Sequence, residues 1–204
     1  MTIKKGATMK TIAVLATLLV LAFPVLAQEE ETLIKGDIEH GGFGGPVVKF
    51  GSFNGESGVL VGGRGGWIIN HTFILGGGGY GLVTNVKANT LGPNGERYLE
   101  FGYGGLEIEY IPEPNKLIHL SFLALIGGGG VSWRDDNVSM SYRREIDVFF
   151  IVEPTVHATL NVTPFFRISA GASYRYITGL DSKVSSNSDL SGPSGLLTFR
   201  FGKF

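Results

Sequence analysis

Polar and apolar side chains alternate along much of this chain with a period of two. The clearest stretch is Phe165 to Ile177. Phe166, Ile168, Ala170, Ala172, Tyr174 and Tyr176 share one parity; Arg167, Ser169, Gly171, Ser173 and Arg175 share the other. Successive side chains of a strand point to opposite faces, so this segment has one apolar face and one that takes all the charge. Residues 145–160 behave alike. Ile146, Val148, Phe150, Val152, Val156 and Ala158 lie on one face, and Glu145, Asp147, Glu153, Thr155, His157 and Thr159 share the other with Phe149 and Ile151. Eight segments bounded by turn residues have strand chemistry: 42–53, 58–69, 73–85, 98–111, 117–133, 145–160, 165–178 and 194–203. No interval carries a 3.6-residue apolar period, which predicts an all-β class.

Some segments depart from simple alternation. In 98–111, Leu99, Phe101 and Tyr103 share one parity while Leu106, Ile108 and Tyr110 share the other, which predicts a β-bulge at Gly104-Gly105. The segment 117–133 is apolar on both parities as far as Gly127. Pro46 predicts a bulge or irregular pairing in the first strand, near the seam of a closed sheet.

The connections alternate in length. Asn70-His71-Thr72, Pro112 to Lys116 and Asn161 to Pro164 are short, whereas 86–97, 134–144 and 179–193 are longer and polar. Membrane-spanning barrels have short periplasmic turns and long outer loops. Asn54 to Ser57 is a short outer connection and departs from that pattern. Both chain ends then fall in the periplasm.

The start of the chain reads as a separate signal. Lys4, Lys5 and Lys10 are followed by an uncharged apolar run, Thr11 to Phe23. Val25 and Ala27 precede the acidic cluster Glu29 to Glu31. This is the order of a cleaved secretory signal over residues 1–27. The apolar run is shorter than the roughly 20 residues a spanning helix needs. Removing residues 1–27 takes away three lysines and no acids, leaving 14 basic residues against 18 acidic ones. An acidic chain argues against nucleic acid as partner. The absence of Cys excludes disulfides and thiolate metal sites.

Face composition bears on whether the barrel is soluble or spans a membrane. Gly62, Gly66, Ser169, Gly171 and Ser173 crowd the polar face. The lumen of eight strands is only just wide enough for side chains, so small residues beside charges suit an inward polar face. The opposite phase would put Arg167 and Arg175 in lipid, at roughly 2–4 kcal/mol each near the midplane. Trp67, Tyr98, Tyr110, Trp133, Phe165, Tyr174 and Tyr176 sit towards strand ends, where interfacial girdles occur. The expectation is an eight-stranded antiparallel up-and-down transmembrane β-barrel over 42–204, preceded by a short periplasmic segment, 28–41.

With these features the chain resembles the small eight-stranded outer-membrane barrels of the OmpA and OmpX type. The closing run Leu196 to Phe204 resembles the C-terminal signal read by the barrel-insertion machinery, with Phe204 as its terminal aromatic. Leu197, Phe199 and Phe201 are out of phase with Phe204, a departure from the family's pattern. The resemblance implies insertion by the assembly machinery, contact with lipid and lipopolysaccharide, a monomer, and roles from anchoring to adhesion.

Candidate chemistry centres on the lumen. Arg64, Glu100, Glu107, Glu109, Glu145, Asp147, Glu153, Arg167, Arg175 and Arg200 are assigned inward. Charges held away from water must pair, which predicts a filled polar lumen; a narrow channel along the same charges is the alternative. If the connection near 134–144 is centred on residue 138, His119 lies opposite His157, a pair that would suit a metal or a pH-sensitive contact. Two histidines hydrogen-bonded in a polar lumen is the plainer reading, and no metal or cofactor is expected. His119-Leu120-Ser121 faintly resembles the His/Ser pair of outer-membrane lipid A deacylases, which keeps a lipid hydrolase as a further alternative. A soluble lipocalin-like binder is the last. Gly76 to Gly81 matches G-x-G-x-x-G, but no helix follows to present its N-terminus to phosphate.

Overall fold

The computed structural model describes residues 38–87, 97–135, 146–181 and 185–204. The signal segment 1–27, Glu145 and Asn137-Val138-Ser139, which fits a glycosylation pattern, lie outside them. Eight strands form one sheet: β1 His40–Phe53, β2 Glu56–Ile69, β3 Phe73–Leu82, β4 Arg97–Tyr110, β5 Ile118–Asp135, β6 Asp147–Thr163, β7 Phe166–Thr178 and β8 Gly192–Lys203. Each pairs antiparallel with its neighbours in sequence, and β8 closes on β1. A four-residue helix, α1 Asn187–Leu190, precedes β8 with Ser186 as its N-cap. No described helix is long and apolar enough to cross a membrane.

Turn chemistry sets the register at one end. Asn54 and Gly55 both take positive φ, 51° and 81°, and bring Phe53 opposite Glu56. A two-residue hairpin with both centres left-handed matches the twist of the strands, and Asn-Gly is its preferred sequence. Asn70 and His71 also take positive φ, 49° and 56°, in a three-residue loop that sets Ile69 opposite Phe73.

β4 has no bulge. Gly104 pairs with Gly79 on one side and Gly128 on the other, and both ladders run through without a shift. Leu99, Phe101 and Tyr103 share the inward parity of Glu107 and Glu109, and all five are buried. The change of character reflects the lumen, which turns from apolar to polar along its length. The strand itself keeps its phase.

Pro46 behaves as its missing N–H requires. It pairs with Gly63 of β2, but towards β8 the ladder passes from Gly44↔Phe201 to Val47↔Thr198 in unchanged register. Pro154 in β6 repeats this, paired with Ala124 of β5 while the β7 ladder skips from Val152↔Tyr176 to Thr155↔Ser173. A register shift does occur between Asn161 and Thr163, beside the β6–β7 turn.

Burial inverts the pattern of a water-soluble barrel. Glu109, Glu153 and Arg175 are each 0% exposed, whereas Phe50, Leu106 and Val148 are 56%, 51% and 73% exposed. Trp133 departs from the expected girdle. It lies on the inward parity of β5 and packs against the buried cluster that includes Phe53, Leu60, Phe101 and Phe149.

Candidate functional site

The lumen holds the densest chemistry, and its centre is Glu109 on β4. The Arg200 guanidinium from β8 grips this carboxylate with two nitrogens, Nη2 to Oε1 at 2.9 Å and Nη1 to Oε2 at 3.3 Å. Arg64 of β2 donates from Nη2 to Oε2 at 2.9 Å, and Ser121 of β5 donates from Oγ to Oε1 at 2.5 Å. Arg64 Nε also reaches Glu107 Oε2 at 2.6 Å, and Tyr80 donates its hydroxyl to Glu107 Oε1 at 2.6 Å. Both arginines lie beside the Phe43 ring, with guanidinium carbons 5.3 and 5.4 Å from its centroid. Planar guanidinium groups suit this use, since they offer fixed forks to carboxylates and flat faces to rings.

A second network lies on the other side of Tyr80. Glu153 of β6 accepts from Lys49 Nζ at 2.7 Å, from the Tyr103 hydroxyl at 2.8 Å and from Ser173 Oγ at 2.7 Å. The Lys49 ammonium sits 3.6 Å from the Tyr80 ring centroid, which joins the two networks. Ions this deeply buried cost several kcal/mol each to desolvate, and only good geometry with further hydrogen bonds offsets that. Every carboxylate oxygen of Glu107, Glu109 and Glu153 has such a partner.

Towards the end that carries the β1–β2 and β7–β8 connections the lumen becomes apolar. Phe101 stacks on Phe149 with centroids 5.3 Å apart and meets Phe53 at 5.4 Å. Leu180 and Leu190, from the β7–β8 connection, are buried in the same cluster. Arg175 of β7 ties this connection down. It donates to Leu190 O at 2.6 Å, Ser194 Oγ at 3.1 Å and Ser52 O at 3.0 Å, with its guanidinium carbon 4.2 Å from the Phe53 ring centroid. Asn54 N donates to Asp189 O at 3.0 Å, so the turn between β1 and β2 also holds α1.

Of the residues assigned inward from sequence, Arg64, Glu107, Glu109, Glu153, Arg175 and Arg200 are buried in the lumen. Arg167 is half-buried near the β6–β7 turn, over the ring of Phe204 at 4.1 Å. Asp147 is half-buried on the inward parity of β6. Glu100 is a correction. It has the outward parity of β4 and accepts from Ser132 Oγ at 3.2 Å, because the unbroken phase of β4 sends Leu99 and Phe101 inward instead. The histidine pairing is a second correction. Ser121 lies opposite His157, and His119 lies opposite Thr159, because the β5–β6 register is centred on residue 139 and not 138. Parity survives the two-residue slip, so both histidines remain buried on inward parities. His157 Nδ1 lies 3.9 Å from Glu109 Oε1, and no cluster suited to a metal occurs among the described residues. Ser121, the hydroxyl of the H-x-S step, is fully buried and engaged with Glu109.

Lys49, Tyr80 and Tyr103 complete the networks and were not foreseen. In β1, Lys49 shares its parity with Phe43, Val47 and Phe53, so the inward face reads as apolar. The cost of a lysine in lipid is the signal that could have found Lys49. Phe204 points away from lipid. Its ring stacks on Phe43 with centroids 6.2 Å apart, whereas Phe201 on the outward parity is 49% exposed.

No protein-family model and no curated protein matches the sequence. Solved structures do. Neisserial surface protein A aligns over 83% of this chain and 100% of its own, with a TM-score of 0.56 and 14% identity. This chain has the fold of the small eight-stranded outer-membrane barrels. The N-terminal β-barrel domain of Pseudomonas aeruginosa OprF gives 0.51 at 13% identity, over 80% of this chain and 96% of that domain. At such identities the likeness concerns backbone architecture, and the lumen networks are described from this chain alone.

Proposed function

We propose that this protein is a closed outer-membrane barrel that serves as a structural or surface-interaction element, without a catalytic role or a solute pathway. The observation that carries the reading is the inverted polarity of the wall, with buried Glu109, Glu153, Arg175 and Arg200 inside and exposed Phe50, Leu106, Val148 and Tyr176 outside. Lipid takes up such an exterior, and water does not. The alternation of short and long connections supports an orientation with both termini in the periplasm and the β7–β8 connection at the cell surface. Residues 1–27 direct export and are cleaved. The outward run Leu197, Phe199 and Phe201 presents the C-terminal strand to the insertion machinery, with Phe204 turned inward against Phe43. The barrel is a monomer in contact with outer-leaflet lipid, including lipopolysaccharide.

Closure follows from two layers, the ion-paired networks and the apolar cluster that Arg175 holds in place. Single-channel recording of the protein in planar bilayers tests this. The expected record is flat. Large, stable conductance steps would replace this reading with a narrow channel along Glu107, Glu109 and Arg200. Membrane insertion is tested separately, by outer-membrane fractionation with boiled and unboiled samples compared on a gel. Enrichment with a heat-dependent mobility shift is expected; soluble protein without a shift would point to a secreted ligand-binding barrel.

A further inference from the structure

We infer that the mouth of the lumen beside the β6–β7 turn binds a phosphate group that still carries a proton, as orthophosphate or a phosphate monoester does. That this mouth opens to the periplasm rests on the outer-membrane reading above. The binding chemistry rests on four residues of inward parity on consecutive strands: His119 of β5, Asn161 of β6, Arg167 of β7 and Arg200 of β8. Arg167 lies directly opposite Asn161 on one side and directly opposite Arg200 on the other. His119 and Asn161 meet on one carbonyl, Lys116 O, which accepts from His119 Nδ1 at 3.2 Å and from Asn161 Nδ2 at 2.8 Å. The residues therefore form one cluster.

The cluster has a surplus of positive charge. Like charges directly opposite in an antiparallel pair are destabilising. Arg200 is bonded to Glu109, whose carboxylate already serves Arg64 and Ser121 as well. Among the described residues Arg167 makes no hydrogen bond or ion pair, and its guanidinium carbon lies 4.1 Å from the Phe204 ring centroid. It is half-buried, so small solutes reach it. Arg200 is buried, and its Nε has no hydrogen-bond partner among the described residues. An oxyanion supplies what both arginines lack, since a guanidinium binds phosphate in two-point fashion.

Spare acceptors in the same cluster narrow the ligand. A carbonyl only accepts, so His119 Nδ1 carries the hydrogen and Nε2 of the neutral ring keeps a lone pair. Nε2 is buried without a partner among the described residues. Asn161 donates its amide hydrogens to Pro114 O and Lys116 O, and its Oδ1 is buried without a partner in the same way. Buried polar atoms are normally bonded, so unpartnered ones that lie together call for an explanation. Sulfate, chloride or a carboxylate answers the arginines and leaves both acceptors bare. A protonated phosphate answers both needs, with anionic oxygens on Arg167 and Arg200 and its hydroxyl on Asn161 or His119. Arg167 is the point of entry, and the atoms behind it are reached as its guanidinium lifts towards the anion. Beyond them the Arg200–Glu109 pair and Phe43 close the lumen, so phosphate is held and not passed.

The test is isothermal titration of the full-length protein in detergent micelles with orthophosphate, phenyl phosphate, sulfate and acetate. Neutral pH leaves a proton on orthophosphate and none on sulfate. Micelles leave both mouths open, so orientation in a membrane does not enter. One saturable phosphate per barrel is expected, held about tenfold more tightly than sulfate. Arg167→Gln should weaken phosphate and sulfate alike by about tenfold, as loss of a charge-assisted contact does. His119→Phe should lower phosphate to the level of sulfate and leave sulfate unchanged, which a merely structural role does not do. Should Arg167→Gln lose its heat-dependent gel shift, Arg167→Lys takes its place; it keeps the charge, loses the fork and should still weaken phosphate. Orthophosphate bound as well as phenyl phosphate makes the free ion sufficient, and a preference for phenyl phosphate makes the ligand an ester. No saturable phosphate, equal affinity for sulfate, or binding unchanged in Arg167→Gln overturns the site while leaving the barrel in the membrane. A wild-type protein absent from the outer-membrane fraction overturns the reading beneath it and leaves the titration standing.

Discussion

Lys49 and Glu153 meet across the lumen at 2.7 Å, one from β1 and the other from β6, with side chains 3% and 0% exposed. The strands that carry them are not neighbours in the sheet. The pair therefore braces the barrel across its interior, where the backbone ladders act only around its circumference. Removing one partner strands a buried charge. Glu153→Gln should lower stability by about 3–5 kcal/mol in denaturant unfolding from lipid vesicles. Lys49→Met with Glu153→Leu should cost less than the two single changes together, because neither charge is then left alone. Additive losses would show that the pair is not coupled.

Glu109 and Glu100 occupy the same strand and were assigned the same role from sequence, yet the structure separates them. Glu109 accepts from two arginines and a serine in a fully buried position. Glu109→Gln should destabilise the barrel by about 3 kcal/mol or more. Glu100→Gln, half-buried on the outward parity, should cost less than Glu109→Gln. Urea midpoints of the two variants decide this, and equal losses would put Glu100 back in the lumen.

Arg175 should tie the β7–β8 connection to the barrel wall, since it reaches both. Its three hydrogen bonds reach Leu190 O, Ser194 Oγ and Ser52 O. Arg175→Ala should expose the connection 179–191 to protease, with cleavage at least tenfold faster, while the heat-dependent gel shift is retained. Unchanged proteolysis would mean that Asn54 and the buried leucines suffice to hold it.

Glycines of β3 should divide by face. A Cβ on Gly76 would collide with the Gly65 carbonyl oxygen, whereas on Gly79 the nearest atom is Tyr103 O at 4.0 Å. Gly76→Ala should therefore fail to give the compact gel band, and Gly79→Ala should fold as wild type. Refolding yield into detergent micelles reads the difference.

The sequence by itself determined the strand number, the antiparallel order and the phase of most strands. These depend on local facts: a side chain's parity, a turn's left-handed residues, and the cost of an arginine in lipid. β7 was legible because Arg167, Ser169, Ser173 and Arg175 all fall on one parity. β4 was misread at Gly104-Gly105 because its inward face is apolar at Leu99, Phe101 and Tyr103 and acidic at Glu107 and Glu109. Alternation reports the contrast between two faces, and it fails where the lumen is itself apolar. Only the tertiary structure decided who meets whom inside. Lys49 finds Glu153, Arg200 finds Glu109, and His157 faces Ser121 and not His119. Those partners are set by closure of the sheet and by a register two residues from the expected one. Neither leaves a mark in the local pattern of polar and apolar residues.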